Sequence, residues 1–168
     1  MCKKNDALLN VGANNLDEDF FLQCSNLKGI ALYSVGFDFV NIPSASIRKI
    51  PIGNTPDVLS RATSDIAFLL MQSVARKSFY NHQKILNGGW KNFNALENLG
   101  QELYGKTLGI FGLGRIGFEM AKKCKMAFGM DIIYHNRFHN KIAEKELNAR
   151  LVDFENTAFR ERHTKRTF

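Results

Sequence analysis

Residues 112–117 read Gly-Leu-Gly-Arg-Ile-Gly, a G-x-G-x-x-G spacing that suits the binding of a dinucleotide diphosphate. Gly112 permits a tight turn, Gly114 lets a pyrophosphate reach the backbone with no β-carbon in the way, and Gly117 lets a helix approach a strand closely. If a helix opens here, its N-terminal N–H groups and its dipole face the phosphates. The plain alternative is a structural glycine turn without a ligand. Arg137 stands 20 residues beyond Gly117 and is preceded by Asn136. An acid at roughly 20 residues would accept from a ribose 2′-hydroxyl and indicate NAD. Tyr134-His135-Asn136-Arg137-Phe138 contains none. Arg137 could instead pair with a 2′-phosphate through charge-assisted bonds, with Asn136 adding a neutral one. NADP(H) is therefore preferred, with NAD(H) as the alternative; a merely solvated Arg137 is the bland reading.

Such a turn works only if the flanking elements hold it. Thr107–Phe111 (TLGIF) reads as a strand ahead of it, and about Ile116–Phe128 reads as a helix after it, stopped by Gly129. That helix places Ile116, Met120, Cys124 and Ala127 along one face. Asp131–His135 (DIIYH) reads as the next strand. Strand, turn, helix, strand is a βαβ unit, the building block of a parallel sheet. Earlier in the chain, 27–35 reads as a strand ending at Gly36, and Ile50–Gly53 as a second. Residues 60–87 carry Ile66, Leu69, Leu70, Val74 and Phe79 at near-helical spacing, which predicts one long helix closed by Gly88-Gly89. Residues 88–104, with the only Trp, Trp90, read as a connection.

Composition narrows the partners. The 168 residues hold 45% apolar side chains, normal for a globular chain. The longest apolar run, Ile66–Met71, is six residues, against roughly 20 for a membrane-spanning helix. Cys2, Cys24 and Cys124 are odd in number and widely spaced, which argues against a disulfide framework or a zinc site and for a cytoplasmic protein. The net charge is +7, but residues 156–168 carry Arg160, Arg162, Lys165 and Arg166 against Glu161, and without them it falls to +4. The basicity is partly a tail effect, so neither nucleic acid nor membrane is expected as a partner.

Four stretches occur together in one order: SVGFDF (34–39), NTPDVL (54–59), ATSDIAFLL (62–70) and YGKTLGIFGLGRIG (104–117). This combination resembles the D-isomer-specific 2-hydroxyacid dehydrogenase family. FGMDIIYHNR (128–137) is similar to the glyoxylate/hydroxypyruvate and 2-ketogluconate reductase branch. The resemblance covers about residues 8–155. It implies an α/β fold: an incomplete Rossmann-type doubly wound parallel sheet over 57–155, a remnant of a flavodoxin-like substrate domain over 1–56, and a basic non-family tail over 156–168. It also implies hydride transfer between NADPH and a small 2-keto acid such as glyoxylate or hydroxypyruvate, in a homodimer.

The resemblance assigns Val35 and Gly36 to a loop whose backbone N–H groups hold the substrate carboxylate. A nest of N–H groups suits an anion. It places Thr63 near the cofactor, although a threonine in the first turn of a helix also serves as a simple cap. It assigns Gly112, Leu113, Gly114, Arg115, Ile116 and Gly117 to the pyrophosphate loop, and Asn136 and Arg137 to the 2′-phosphate. The family's chemistry belongs to an Arg that clamps the carboxylate and a His–Glu pair that donates the proton, all well beyond the second nucleotide-domain strand. Nothing after Glu155 matches them, so no catalytic residue is expected here, and the sequence reads as a fragment truncated at both ends. His82, His135, His139 and His163 lack the surrounding motif. The alternative function is a non-catalytic dinucleotide-binding or dimerising module.

Overall fold

A computed structural model of the chain describes residues 4–12 and 14–154. The tail expected over 156–168, with Glu161 and His163, lies outside the described residues, as do Cys2 and Glu155. The chain forms two compact units, one through Leu59 and one from Ser60 onward.

The first unit is built on three parallel strands, β1 (Ala7–Asn10), β2 (Gly29–Leu32) and β3 (Ile52–Gly53), in that order. Two short helices connect them, α1 (Glu18–Gln23) and α2 (Ile42–Ile47). Asp17 and Asn41 cap these helices, accepting from the N–H groups of Phe20 and Ser44. The expected strand over 27–35 is only β2, and that over Ile50–Gly53 only β3. The register explains the first: Leu32 pairs with Asn10, the last residue of β1, and Tyr33 N–H closes the ladder on the Asn10 carbonyl. Residues 33–36 are thereby released into a loop. Leu16, Phe21, Leu27, Ile30, Leu32, Val40 and Ile50 form this unit's core.

The second unit begins with α3 (Ser60–Ala75) and α4 (Ser78–Leu86), where one helix over 60–87 was expected. The break is tertiary in origin. The Ala75 carbonyl accepts from Gln101 N–H at 2.7 Å, and Lys77 adopts a left-handed backbone with φ of 52°. No Pro or Gly marks the break, so it leaves no local signature. Ile66, Leu69, Leu70 and Val74, whose spacing suggested the helix, lie between 48% and 74% exposed.

Three parallel strands follow in order: β4 (Thr107–Phe111), β5 (Asp131–His135) and β6 (Arg150–Leu151). Helix α5 (Arg115–Phe128) links the first two and α6 (Lys141–Leu147) the last two. The expected βαβ unit is present, with Thr107 through Phe111 paired residue for residue with Asp131 through His135 in parallel. Gly129 ends α5 with φ of 60°, its N–H on the carbonyls of Cys124 and Lys125.

The buried face of α5 differs from the expected one. Cys124 is buried, but Ile116 and Ala127 are exposed, and Ala121 replaces them in the core. Gly117 sets the rotation. It packs on Gly112 and Ile110, so the row Gly117, Ala121, Cys124 and Phe128, at helical spacing, turns inward. Phe128 meets Phe68 of α3 with ring centroids 5.6 Å apart, and Cys124 meets the Met71 sulfur at 4.0 Å. Burial pushes the Cys124 thiol up to about 11, which leaves it an unreactive packing group. Across the same helix pair, Lys123 donates to the fully buried Ser64 hydroxyl at 2.6 Å and pairs with Asp65 at 3.3 Å.

Candidate dinucleotide site

The glycine turn sits at the carboxyl end of β4, where open parallel sheets bind ligands. Gly112 takes φ of 89°, a left-handed conformation that glycine adopts without strain, and its N–H bonds the His135 carbonyl at the end of β5. Gly114 is the N-cap of α5, and no side chain caps that helix end. A β-carbon on Gly114 would meet nothing within 4 Å. The cradle is therefore open at the point where a diphosphate must approach, and the positive end of a 14-residue helix faces it. These features fit a dinucleotide phosphate pair.

The turn is held from behind by two asparagines. Leu113, with 1% of its surface exposed, anchors it in the core. Its N–H donates to Asn136 Oδ1 at 2.7 Å, and its carbonyl accepts from Asn140 Nδ2 at 2.9 Å. The Asn136 amide is thus turned toward the loop backbone, whereas a role at a 2′-phosphate was expected for it. Arg137, the next residue, is exposed. Arg115 and Ile116 begin α5 and are exposed as well. Sequence reasoning missed Asn140; the available signal was an asparagine directly before the helical stretch KIAEKEL.

Beyond the asparagines, the Tyr134 hydroxyl donates to Glu144 Oε1 at 2.7 Å and accepts from Asn140 N–H at 2.8 Å. His139 Nδ1 lies 2.6 Å from the same Glu144 oxygen. These bonds hold the Glu144 carboxyl below its usual range, the His139 contact first and the Tyr134 hydroxyl second. Burial, together with Glu144, pushes the Tyr134 phenol up, against the Asn140 N–H. Residues 136–142 line a shallow open hollow beside this network.

Thr63 lies exposed in the first turn of α3, next to the buried Ser64. Val35 and Gly36 belong to the first unit. There Thr55 N–H bonds the Ser34 carbonyl at 3.0 Å, and Asn54 Nδ2 bonds the Val35 carbonyl at 2.8 Å. In a trans peptide the N–H points opposite its carbonyl. The N–H groups of Val35 and Gly36 therefore both face away from 54–55. Among the described residues no cluster of His, Cys, Asp and Glu could hold a metal ion, and no helix is long and apolar enough to cross a membrane.

Comparison with known proteins agrees with this geometry. The chain is 43% identical over 154 residues to a glyoxylate reductase of Thermococcus litoralis, covering 89% of this chain and 46% of that protein. Among solved structures it superposes on the TT0316 protein of Thermus thermophilus with a TM-score of 0.84 at 33% identity, covering 93% of this chain and 48% of that one. A glyoxylate reductase from Paecilomyes thermophila matches with a TM-score of 0.73 at 29% identity, over 90% and 47%. The chain thus spans about half the length of the relatives it matches. A model of the D-isomer specific 2-hydroxyacid dehydrogenase NAD-binding domain matches residues 68–161, the part that contains β4, the glycine turn, α5 and β5. With the open glycine cradle inside that match, on a Rossmann-type parallel sheet, the chain belongs to the D-isomer specific 2-hydroxyacid dehydrogenase family.

Proposed function

We propose that the chain binds NADP(H) at the glycine turn and serves the reduction of a small 2-keto acid, glyoxylate or hydroxypyruvate. The observation that carries this is the open Gly114 cradle at the α5 N-terminus, with Arg137 just beyond β5. The bound nicotinamide would supply a hydride to the keto carbon. The chain's own groups bind and orient. The turn takes the diphosphate, Arg137 pairs with the 2′-phosphate, and the Val35–Gly36 nest takes the substrate carboxylate. Thr63 stands as a further cofactor contact. NAD(H) is the alternative cofactor.

The glyoxylate reductase relatives support a small anionic keto acid, and the Val35 and Gly36 N–H groups, both turned away from 54–55, support the same reading. The exposed apolar row on α3 supports assembly as a homodimer, since contiguous apolar surface of this kind is normally covered. The alternative, a dinucleotide-binding or dimerising module without turnover, draws on the same row. Two measurements on the 168-residue chain test the reading. Titration with NADPH and with NADH should show binding of both, tighter for NADPH. Consumption of NADPH should be followed with glyoxylate and with hydroxypyruvate. Absence of any NADPH binding overturns the proposal.

A further inference from the structure

We propose that Asn140 and Tyr134 are positioning residues for the diphosphate turn, acting through the backbone of Leu113. The inference rests on the cofactor reading above and goes beyond it, because neither side chain need touch the ligand. Asn140 uses every polar group of its side chain and its N–H as well. That N–H donates to the Tyr134 hydroxyl at 2.8 Å, its Oδ1 accepts from Ala143 N–H at 3.1 Å and so caps α6, and its Nδ2 donates to the Leu113 carbonyl at 2.9 Å. Tyr134 has a fully buried ring in β5, and its hydroxyl proton is engaged by Glu144 at 2.7 Å. That leaves the oxygen lone pairs for the Asn140 N–H.

The chain of bonds runs from Glu144 through Tyr134 and Asn140 to Leu113, the residue between the first two glycines. Asn136 completes the grip by accepting from Leu113 N–H at 2.7 Å. A turn with glycines at 112 and 114 has little intrinsic preference for one shape. Both polar backbone groups of Leu113 are bonded to side chains from the β5–α6 connection. The N–H groups that follow are thereby presented to phosphate in one arrangement. Ordering the turn before the ligand arrives lowers the entropy lost on binding.

The test compares two ligands on Asn140→Ser and Tyr134→Phe chains. Serine keeps a cap for Ala143 but is too short to reach the Leu113 carbonyl; phenylalanine removes only the hydroxyl. NADPH carries the diphosphate, whereas adenosine 2′-monophosphate carries the 2′-phosphate without it. The expected result is a Kd for NADPH about five- to tenfold higher. The Kd for adenosine 2′-monophosphate should stay within about twofold, and amide hydrogen exchange should be faster across 112–117. Equal NADPH affinity in a folded variant overturns the proposal. So does equal weakening of both ligands, which would mean a general loss of structure. If the unsubstituted chain binds neither NADPH nor NADH, the cofactor reading itself fails. Should Asn140→Ser not fold, Tyr134→Phe alone decides.

Discussion

A β-carbon on Gly117 would lie 2.6 Å from the carbonyl oxygen of Gly112 and 3.3 Å from the Ile110 side chain. Real contacts of that kind are not made, so helix α5 can lie against its own turn only because residue 117 is glycine. Gly114, three residues earlier, faces open space. One motif therefore contains a packing glycine and a binding glycine. Gly117→Ala should destabilise the fold by about 1–3 kcal/mol, the usual cost of overpacking. Gly114→Ala should leave stability nearly unchanged and weaken NADPH binding. Thermal melting and a cofactor titration on each variant separate the two roles, and equal loss of stability in both would refute the distinction.

Arg137 governs cofactor choice in the proposed function. Arg137→Asp should weaken NADPH and shift preference toward NADH, because a phosphate partner is exchanged for an acceptor of ribose hydroxyls. Asn136→Ala should behave differently. Its amide holds Leu113 N–H, so its loss should weaken both cofactors alike. Unchanged NADPH affinity in Arg137→Asp would count against the 2′-phosphate assignment.

Glu144 sets an acid limit on the network behind the turn. Its carboxyl is held low by His139 and Tyr134, so its stabilising contribution is present above the ordinary carboxylate range. That contribution disappears as pH falls through the lowered folded value. Melting temperature should drop on acidification below about pH 4.3, where an unperturbed Glu titrates. Glu144→Gln should be less stable at neutral pH and show a shallower acid decline. Parallel melting curves from pH 7 to about pH 3 for the two proteins would remove Glu144 from this role.

The β4–α5–β5 unit was legible because period changes sharply at Gly112, from a short apolar strand to a helix. The rotation of α5 was not. Apolar spacing alone favoured Ile116, Met120, Cys124 and Ala127. The contact that decides the matter is made by Gly117, which hydrophobicity does not weigh. The break at Lys77 was hidden for a related reason: Gln101, a residue 26 positions from Ala75, takes the carbonyl that would continue the helix. The six-residue helices of the first unit and the two-residue strands are too short to show a period. Asn136 was placed at the site by its position, but only the structure shows its amide facing the loop.

The exposed row on α3 predicts assembly. Ile66, Leu69, Leu70 and Val74 share an exposed helical face, while Phe68 and Met71 on the opposite side pack against the core beneath α5. Leu70→Glu with Val74→Glu should leave the melting transition in place and convert a dimer to a monomer in sedimentation equilibrium. A parent chain that is monomeric at all concentrations would exclude the proposed interface.

The described residues do contain one His–Glu pair, and its location argues that it is not the proton donor. His139 and Glu144 lie just after β5, with their partner Tyr134 in that strand. In a Rossmann-type sheet the end of the second strand receives the ribose next to adenine, while the nicotinamide lies across the crevice. A general acid must reach the keto oxygen within hydrogen-bond distance, and it typically contributes about 10²–10⁴-fold. His135 is likewise committed, with Nδ1 at 3.1 Å from the Val152 carbonyl and its ring stacked on Phe111. The third described histidine, His82, is exposed on α4. The family resemblance assigns the acid to a segment beyond the part matched here. The 168-residue chain should therefore bind NADPH yet reduce glyoxylate or hydroxypyruvate at least about 10²-fold below a typical enzyme median of ~10 s⁻¹. His139→Gln should leave whatever turnover remains unchanged. Turnover near the median, from chain of verified mass, would mean that a residue present here supplies the proton. In that event His82→Gln is the variant to measure next, and its loss of activity would identify the donor.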